Sequence, residues 1–227
     1  MTVSLEELRD EFDRWARDGR GEEMQEGHLA VTEQIIGLMG LRPDSRVLDL
    51  GCGTGWATRM VAARVQDGVA VGLDVSEEMI RHARNHGALP PNASFRVLTG
   101  ARFPFHDGVF THCLSIESLY YHPDVAATFQ EVCRVLGPSG RAYVMVNFFR
   151  ENPYVHHWAD LLDVPVHLLG AEDYAQAARA AGFAACRTLT IPDPTPVPED
   201  YRGPHYVDAA KMRAARAIGA LLIIAEK

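Results

Sequence analysis

Cysteine is scarce: Cys52, Cys113, Cys133 and Cys186 are the only four in 227 residues, and no two form a C-x-x-C pair. This spacing argues against a disulfide framework and against a cysteine-based zinc site. Long apolar runs are missing too. The longest, Ala217 to Ala225, is broken by Gly219 and reaches about half of the ~20 residues that cross a bilayer as a helix. Met1 to Trp15 is charged and lacks the apolar stretch of a secretory leader. The expectation is a cytoplasmic protein with no membrane contact. There is no basic excess either, since 22 Lys+Arg face 30 Asp+Glu for a net charge of −8. A net anion is repelled by phosphate backbones, which argues against a nucleic-acid partner. Residues 1–28 hold nine acids against four arginines, so most of the negative charge sits at the N-terminus and the rest of the chain is close to neutral.

The chain has the composition of an ordinary globular protein, 47% hydrophobic and 23% charged, and a length that fits one domain. Leu5, Leu8, Phe12, Trp15 and Ala16 recur at helical spacing, and a second helix is expected from about Gly27 to Met39. From there the period changes. Short apolar runs at 46–50, 69–73, 94–98, 110–114 and 142–147 read as buried strands. Helical stretches separate them: 54–65, one capped by Ser76, and one from Pro123 to Leu136, followed by a turn at 137–140. Residues 171–181 read as a further helix, and 183–191 and 221–226 as two last strands around a proline-rich insertion. This alternation predicts an α/β fold: a Rossmann-like, doubly wound, mostly parallel sheet with helices on both faces. We expect an N-terminal helical cap over 1–43, a cofactor-binding core over 44–148, and a substrate-side segment with the last strands over 149–227.

Chemistry concentrates in Asp49-Leu50-Gly51-Cys52-Gly53-Thr54-Gly55, at the C-terminal end of the first strand. Ligands of open parallel sheets bind at that edge. Two cofactor classes use glycine-rich loops of this kind. Dinucleotide sites want G-x-G-x-x-G; here the last glycine falls one place early and Trp56 fills the position that wants a small residue. Asp49 before the loop would face a polyanion unfavourably, whereas it suits a ligand with a cationic amine.

The segment 49–55 resembles the first motif of the class I S-adenosylmethionine (SAM)-dependent methyltransferases of the small-molecule, type 11 group, and further matches follow in order. Gly72-Leu73-Asp74-Val75-Ser76 is similar to the second motif, Phe103 to Phe110 to the approach to strand four, Leu114 to Asp124 to the loop after it, and Glu131 to Gly140 to the helix and turn before strand five. The resemblance implies a seven-stranded sheet and SAM as cofactor, with S-adenosylhomocysteine as its product. It implies that Asp49, Gly51, Gly53 and Gly55 hold the methionyl part and Asp74 the ribose hydroxyls, with Val75 and Met79 beside them. Ser115 would contribute backbone. Many relatives carry an acid and then Ala after strand three; this chain has Gly100-Ala101, so backbone groups there or Arg102 would read the adenine.

Glu117 and His122 follow strand four, where the transferable methyl should lie, and His157 lies in the aromatic segment after strand five. These three are the candidates for catalytic groups; as loop or helix-end residues each can equally be structural. The implied reaction is an in-line displacement on a sulfonium methyl by a small-molecule acceptor, in a monomer or homodimer and without a metal. A nicotinamide-dependent oxidoreductase and a SAM-binding protein without catalysis are the alternatives.

Overall fold

The computed structural model describes residues 4–227. Two helices open it, α1 (Leu5–Arg17) and α2 (Arg20–Leu38). Ser4 and Glu7 cap α1 reciprocally, each backbone N–H donating to the other's side chain, at 2.8 and 3.2 Å. The alternating part follows as β1 (Arg46–Leu50), α3 (Trp56–Ala62), β2 (Val69–Asp74), α4 (Glu77–Asn85), β3 (Ala93–Val97), β4 (Phe110–Ile116), α5 (Val125–Val135) and β5 (Leu136–Val146). After a 3-10 segment (Pro153–Leu161) come α6 (Ala171–Ala180), β6 (Ala185–Ile191), the short β7 (Arg202–Gly203) and β8 (Val207–Asp208), α7 (Ala209–Ile218) and β9 (Ala220–Glu226).

Seven strands form one sheet in the order β3-β2-β1-β4-β5-β9-β6. All pairs are parallel except those of β9, which runs against both β5 and β6. The strands β1, β4 and β9 are buried almost throughout, as their unbroken apolar runs require. One apolar core joins the sheet to α5 and α6 and reaches α1 through Leu8 and Trp15; a second packs α2 and α3 on the opposite face. The order reverses between β1 and β4, and the strand ends diverge there into a crevice.

Three features depart from the sequence-based expectation. Helix α2 begins at Arg20, several residues before Gly27; its first turn is held by tertiary packing, with the Arg20 guanidinium 4.8 Å from the Trp15 ring. The turn at 137–140 lies inside β5, where Phe110 pairs with Leu136 but His112 with Arg141, so the extra residues form a bulge. The helix α7 stands where the proline-rich insertion was expected to lead straight into a strand. Asp208 caps it by accepting the Lys211 N–H at 2.8 Å.

Gly219 joins α7 to β9 with φ 85° and ψ −178°, a region open essentially to glycine alone. A Cβ there would lie 2.4 Å from the Ile191 carbonyl oxygen. Gly219→Ala should destabilise the fold by about 2 kcal/mol, a fall of about 4–8 °C in Tm. A thermal melt within a degree of wild type would show that the α7–β9 joint tolerates a side chain.

Candidate active site

The crevice at the β1/β4 divide is a cleft whose floor is the loop after β1. Gly53 sits in it at φ 51°, and a Cβ added there would meet nothing within 4 Å; the loop presents bare backbone to open space, as a closely approaching ligand requires. The wall beside it is Asp74, at the end of β2. Its Oδ2 accepts the Gly53 N–H at 2.8 Å and its Oδ1 the Ser76 N–H at 2.9 Å. Burial pushes its carboxyl above the usual range despite these bonds. Val75 and Met79 continue the wall, and Leu8, Phe12 and Trp15 of α1 cover it. Helix α1 is fixed over the cleft by Asp13, whose carboxylate accepts from the Ser76 hydroxyl and from the Glu78 N–H at the N-terminus of α4.

The residues singled out by sequence divide into two sets. Gly51, Gly53, Asp74, Val75, Met79, Glu117 and His122 line the cleft. The others do not. Asp49 lies beneath the loop, buried, with Oδ2 accepting the Thr58 hydroxyl at 2.6 Å; burial raises its pKa to about 7. Gly55 is the N-cap of α3. Ala101 and Arg102 are exposed, Arg102 reaching toward Asp107, and it is Leu98 from this stretch that enters the cleft. Ser115 is fully buried within β4 and its hydroxyl has no hydrogen-bond partner. His157, half-buried, bonds through Nε2 to the Pro204 carbonyl at 2.9 Å and borders no cavity of the site.

Glu117 terminates β4 with φ 53°, one of three non-glycine residues at positive φ among those described. Such a conformation costs about 1–2 kcal/mol and clusters at functional sites. It turns the carboxylate inward, where Oε1 accepts the Asn147 N–H and Oε2 the Tyr120 hydroxyl at 2.9 Å. Burial raises its pKa. The sequence drew no attention to His28, on α2, yet its Nε2 is 3.8 Å from Glu117 Oε2. One histidine on a helix without a pronounced apolar face carries no signal that would have marked it.

Beyond Glu117 lies a second cavity of about 530 Å³. Trp15, Met24, His28, Glu117 and Tyr121 border both it and the cleft. Its walls are aromatic and come from distant segments: Tyr120 and Phe148 after β4 and β5, Trp158 from the 3-10 segment, Tyr201 and Tyr206 beside the β7–β8 pair.

His122 is closed off from proton transfer by its bonds. Thr128 donates its hydroxyl to the Asp124 carbonyl, so at 3.1 Å it accepts from His122 Nδ1; the Ser118 hydroxyl occupies Nε2 at 3.2 Å. Burial, then the nearby His167, lowers its pKa to about 4.

Among the described residues no lysine or arginine lines the cleft, while Asp74 and Glu117 do. A pyrophosphate would meet carboxylates without a cation, whereas a ligand bearing a sulfonium and an ammonium fits. The comparisons agree with this electrostatic choice. The model of a methyltransferase domain matches residues 47–140. The chain is 28% identical over 189 residues to 24-methylenesterol C-methyltransferase 2 of Oryza sativa subsp. japonica, covering 78% of this chain and 52% of that protein. It spans about half the length of the curated relatives it matches. A chain from the complex of the Haloferax volcanii Trm112 methyltransferase activator is 30% identical, with a TM-score of 0.88 over 95% of this chain and 97% of that one. Geranyl diphosphate C-methyltransferase from Streptomyces coelicolor A3(2), solved with S-adenosylhomocysteine, shares the fold at 18% identity, with a TM-score of 0.67 over 88% of this chain and 79% of that one. The chain belongs to the class I SAM-dependent methyltransferases. No helix of the described residues is long and apolar enough to cross a membrane.

The depressed His122 pKa gives a test of this geometry. The unfolded chain binds a proton at His122 below about pH 6.5, the folded chain only below about pH 4. Between these values the unfolded state holds more protons, so the His122 contribution to stability is lost as pH falls through the window. His122→Gln should flatten that part of the stability profile, measured by urea unfolding at a series of pH values. An unchanged slope would mean that the ring is solvated.

Proposed function

We propose that this chain moves the methyl group of SAM to a small organic acceptor held in the aromatic chamber. The observation that carries the reading is the meeting of the two cavities at Glu117 and His28, where a methyl leaving one would enter the other. When bound, SAM supplies a methyl already activated on a positive sulfur. The protein's part is to bind, align and exclude water. Asp74, its carboxylate fixed by two backbone N–H groups, keeps lone pairs for the ribose hydroxyls. The loop Gly51 to Gly55 takes the methionyl part, with the buried charge of Asp49 beneath it. Val75, Met79 and Leu98 flank the adenine, a role that replaces the one expected of Gly100, Ala101 and Arg102. Ser115 supports from within β4. Helix α1 roofs the cofactor through Phe12 and Trp15.

The family relatives named above act on a sterol and on geranyl diphosphate, and the size and apolar walls of the chamber support an acceptor of small-molecule class here as well. A protein partner is a second reading, favoured by one observation: the Haloferax chain matched over nearly its whole length was solved with an activator protein. Co-elution with the Haloferax volcanii Trm112 protein would support that reading, and separate elution at micromolar concentration would remove it.

Calorimetry tests the main proposal. SAM and S-adenosylhomocysteine should bind the wild type, and NADH should not. Asp74→Ala should weaken both ligands about tenfold or more, as the loss of charge-assisted hydrogen bonds predicts. Absence of heat with SAM at millimolar concentration would sink the proposal; unchanged affinity in Asp74→Ala would remove the ribose assignment.

A further inference from the structure

The junction of the two cavities holds a pair of groups whose geometry defines the reacting end of the acceptor. His28 Nδ1 lies 2.6 Å from the Met24 carbonyl oxygen. A carbonyl only accepts, so Nδ1 carries a proton and Nε2 is the ring atom left to accept one. Nε2 is 3.8 Å from Glu117 Oε2, a separation too long for a direct hydrogen bond and of a length that one donor group can bridge. A carboxylate has about four lone-pair positions, and on Glu117 the Asn147 N–H and Tyr120 hydroxyl take two of them.

The charges around the junction fix the sign of what fits. From α2 the chamber is faced by Arg20 and Glu23, whose formal charges cancel. From the far wall Asp193 and Arg216 pair at 2.9 Å. Burial shifts His205 toward its neutral form and keeps Tyr120, Tyr121 and Tyr206 protonated. On the cleft side His122 is neutral, and Asp74 faces the cleft without bordering the chamber. Among the described residues of the chamber wall, the formal charge left unbalanced is the Glu117 carboxylate, set among the rings of Trp15, Tyr120, Tyr121 and Phe148. Aromatic faces around a buried anion form a receptor for an organic cation.

We infer that the acceptor is an amine with an aromatic or apolar body, whose ammonium is held by Glu117 and gives up a proton to His28. This rests on the methyl-transfer reading above and names its substrate class. The ammonium donates one N–H to Glu117 Oε2 and one to His28 Nε2. His28 takes the second proton and becomes an imidazolium beside the Glu117 carboxylate. The freed nitrogen lone pair forms the new C–N bond as the S–CH3 bond breaks, and the bonding pair stays on sulfur, leaving neutral S-adenosylhomocysteine and a methylated ammonium. His28 is then a catalytic residue and Glu117 the acceptor's counter-ion.

The test uses the whole chain with 2-phenylethylamine, 2-phenylethanol and tyramine. Loaded with S-adenosylhomocysteine, the wild type should bind 2-phenylethylamine about tenfold more tightly than the alcohol, the ordinary worth of one charge-assisted hydrogen bond. Glu117→Gln should erase that preference. With methyl-labelled SAM, label should appear on the nitrogen of 2-phenylethylamine and of tyramine. His28→Gln should lower kcat about 100-fold at neutral pH, within the range of general-base contributions, a larger effect than on KM. Its deficit should shrink as the pH is raised and amine arrives already neutral; a structural role for His28 would not give that recovery. A cooperative thermal melt and an unchanged far-UV circular dichroism spectrum in both variants report that they fold. No preference for the amine over the alcohol, no transfer to nitrogen, or label on the tyramine oxygen, in a protein that binds SAM, would overturn the amine assignment alone. Failure of the wild type to bind SAM would overturn the reading beneath it.

Discussion

Three carboxylates buried around one cleft, with no lysine or arginine among the described residues of its wall, set the terms for the rest of this structure. Asp49, Asp74 and Glu117 are each at least nine-tenths buried, and an ionised carboxylate in such surroundings is costly unless hydrogen-bonded or paired. The fold meets the cost with backbone donors at Asp74 and Glu117 and with the Thr58 hydroxyl at Asp49. Asp74 also pushes Asp49 up, by like charge added to burial. A positively charged ligand relieves all three at once. The same arrangement opposes a dinucleotide, whose phosphates would add to the negative field.

The strand order delivers these groups to one place. Asp49 and Asp74 come from neighbouring strands on one side of the reversal, and Glu117 from the end of β4 on the other. The left-handed backbone at Glu117 is the local strain that turns its carboxylate to the boundary between cleft and chamber. Helix α1 completes the cleft through Asp13 at the start of α4, so the acidic N-terminal stretch acts as a roof with one acid committed to a helix dipole. The net charge of the whole chain says little about the site; the sign of a few buried groups decides its ligand.

The parallel sheet and its glycine loop were legible because their signals are local. Buried parallel strands read as short apolar runs, and a loop that must bare its backbone reads as alternating glycines. Asp74 was legible for the same reason, as the acid ending the second such run. The chamber was legible in part: the helical cap and the aromatic segment after strand five were expected on the substrate side, and Trp15, Trp158, Tyr201 and Tyr206 do line it. Which side chains meet there was not, because no spacing rule links Trp15 to Phe148 or Tyr206. His28 was invisible because its role depends on where α2 lies against β4, a tertiary fact. His157 and Arg102 drew attention by residue type, and their geometry turns them away: one is bound to a loop carbonyl, the other lies out in solvent. Helix α7 was hidden behind the proline run that precedes it, although its alanine-rich sequence favours a helix.

Central to the proposed function is the continuity of the loop after β1 and the end of β2 with the Glu117–His28 junction. A crystal structure with S-adenosylhomocysteine tests it most directly. The account predicts ribose hydroxyls on Asp74, the methionyl chain over Gly51 to Gly55, and the sulfur facing Glu117 and His28 at the mouth of the chamber. Ligand found away from Asp74, or a sulfur pointing away from the chamber, would contradict it.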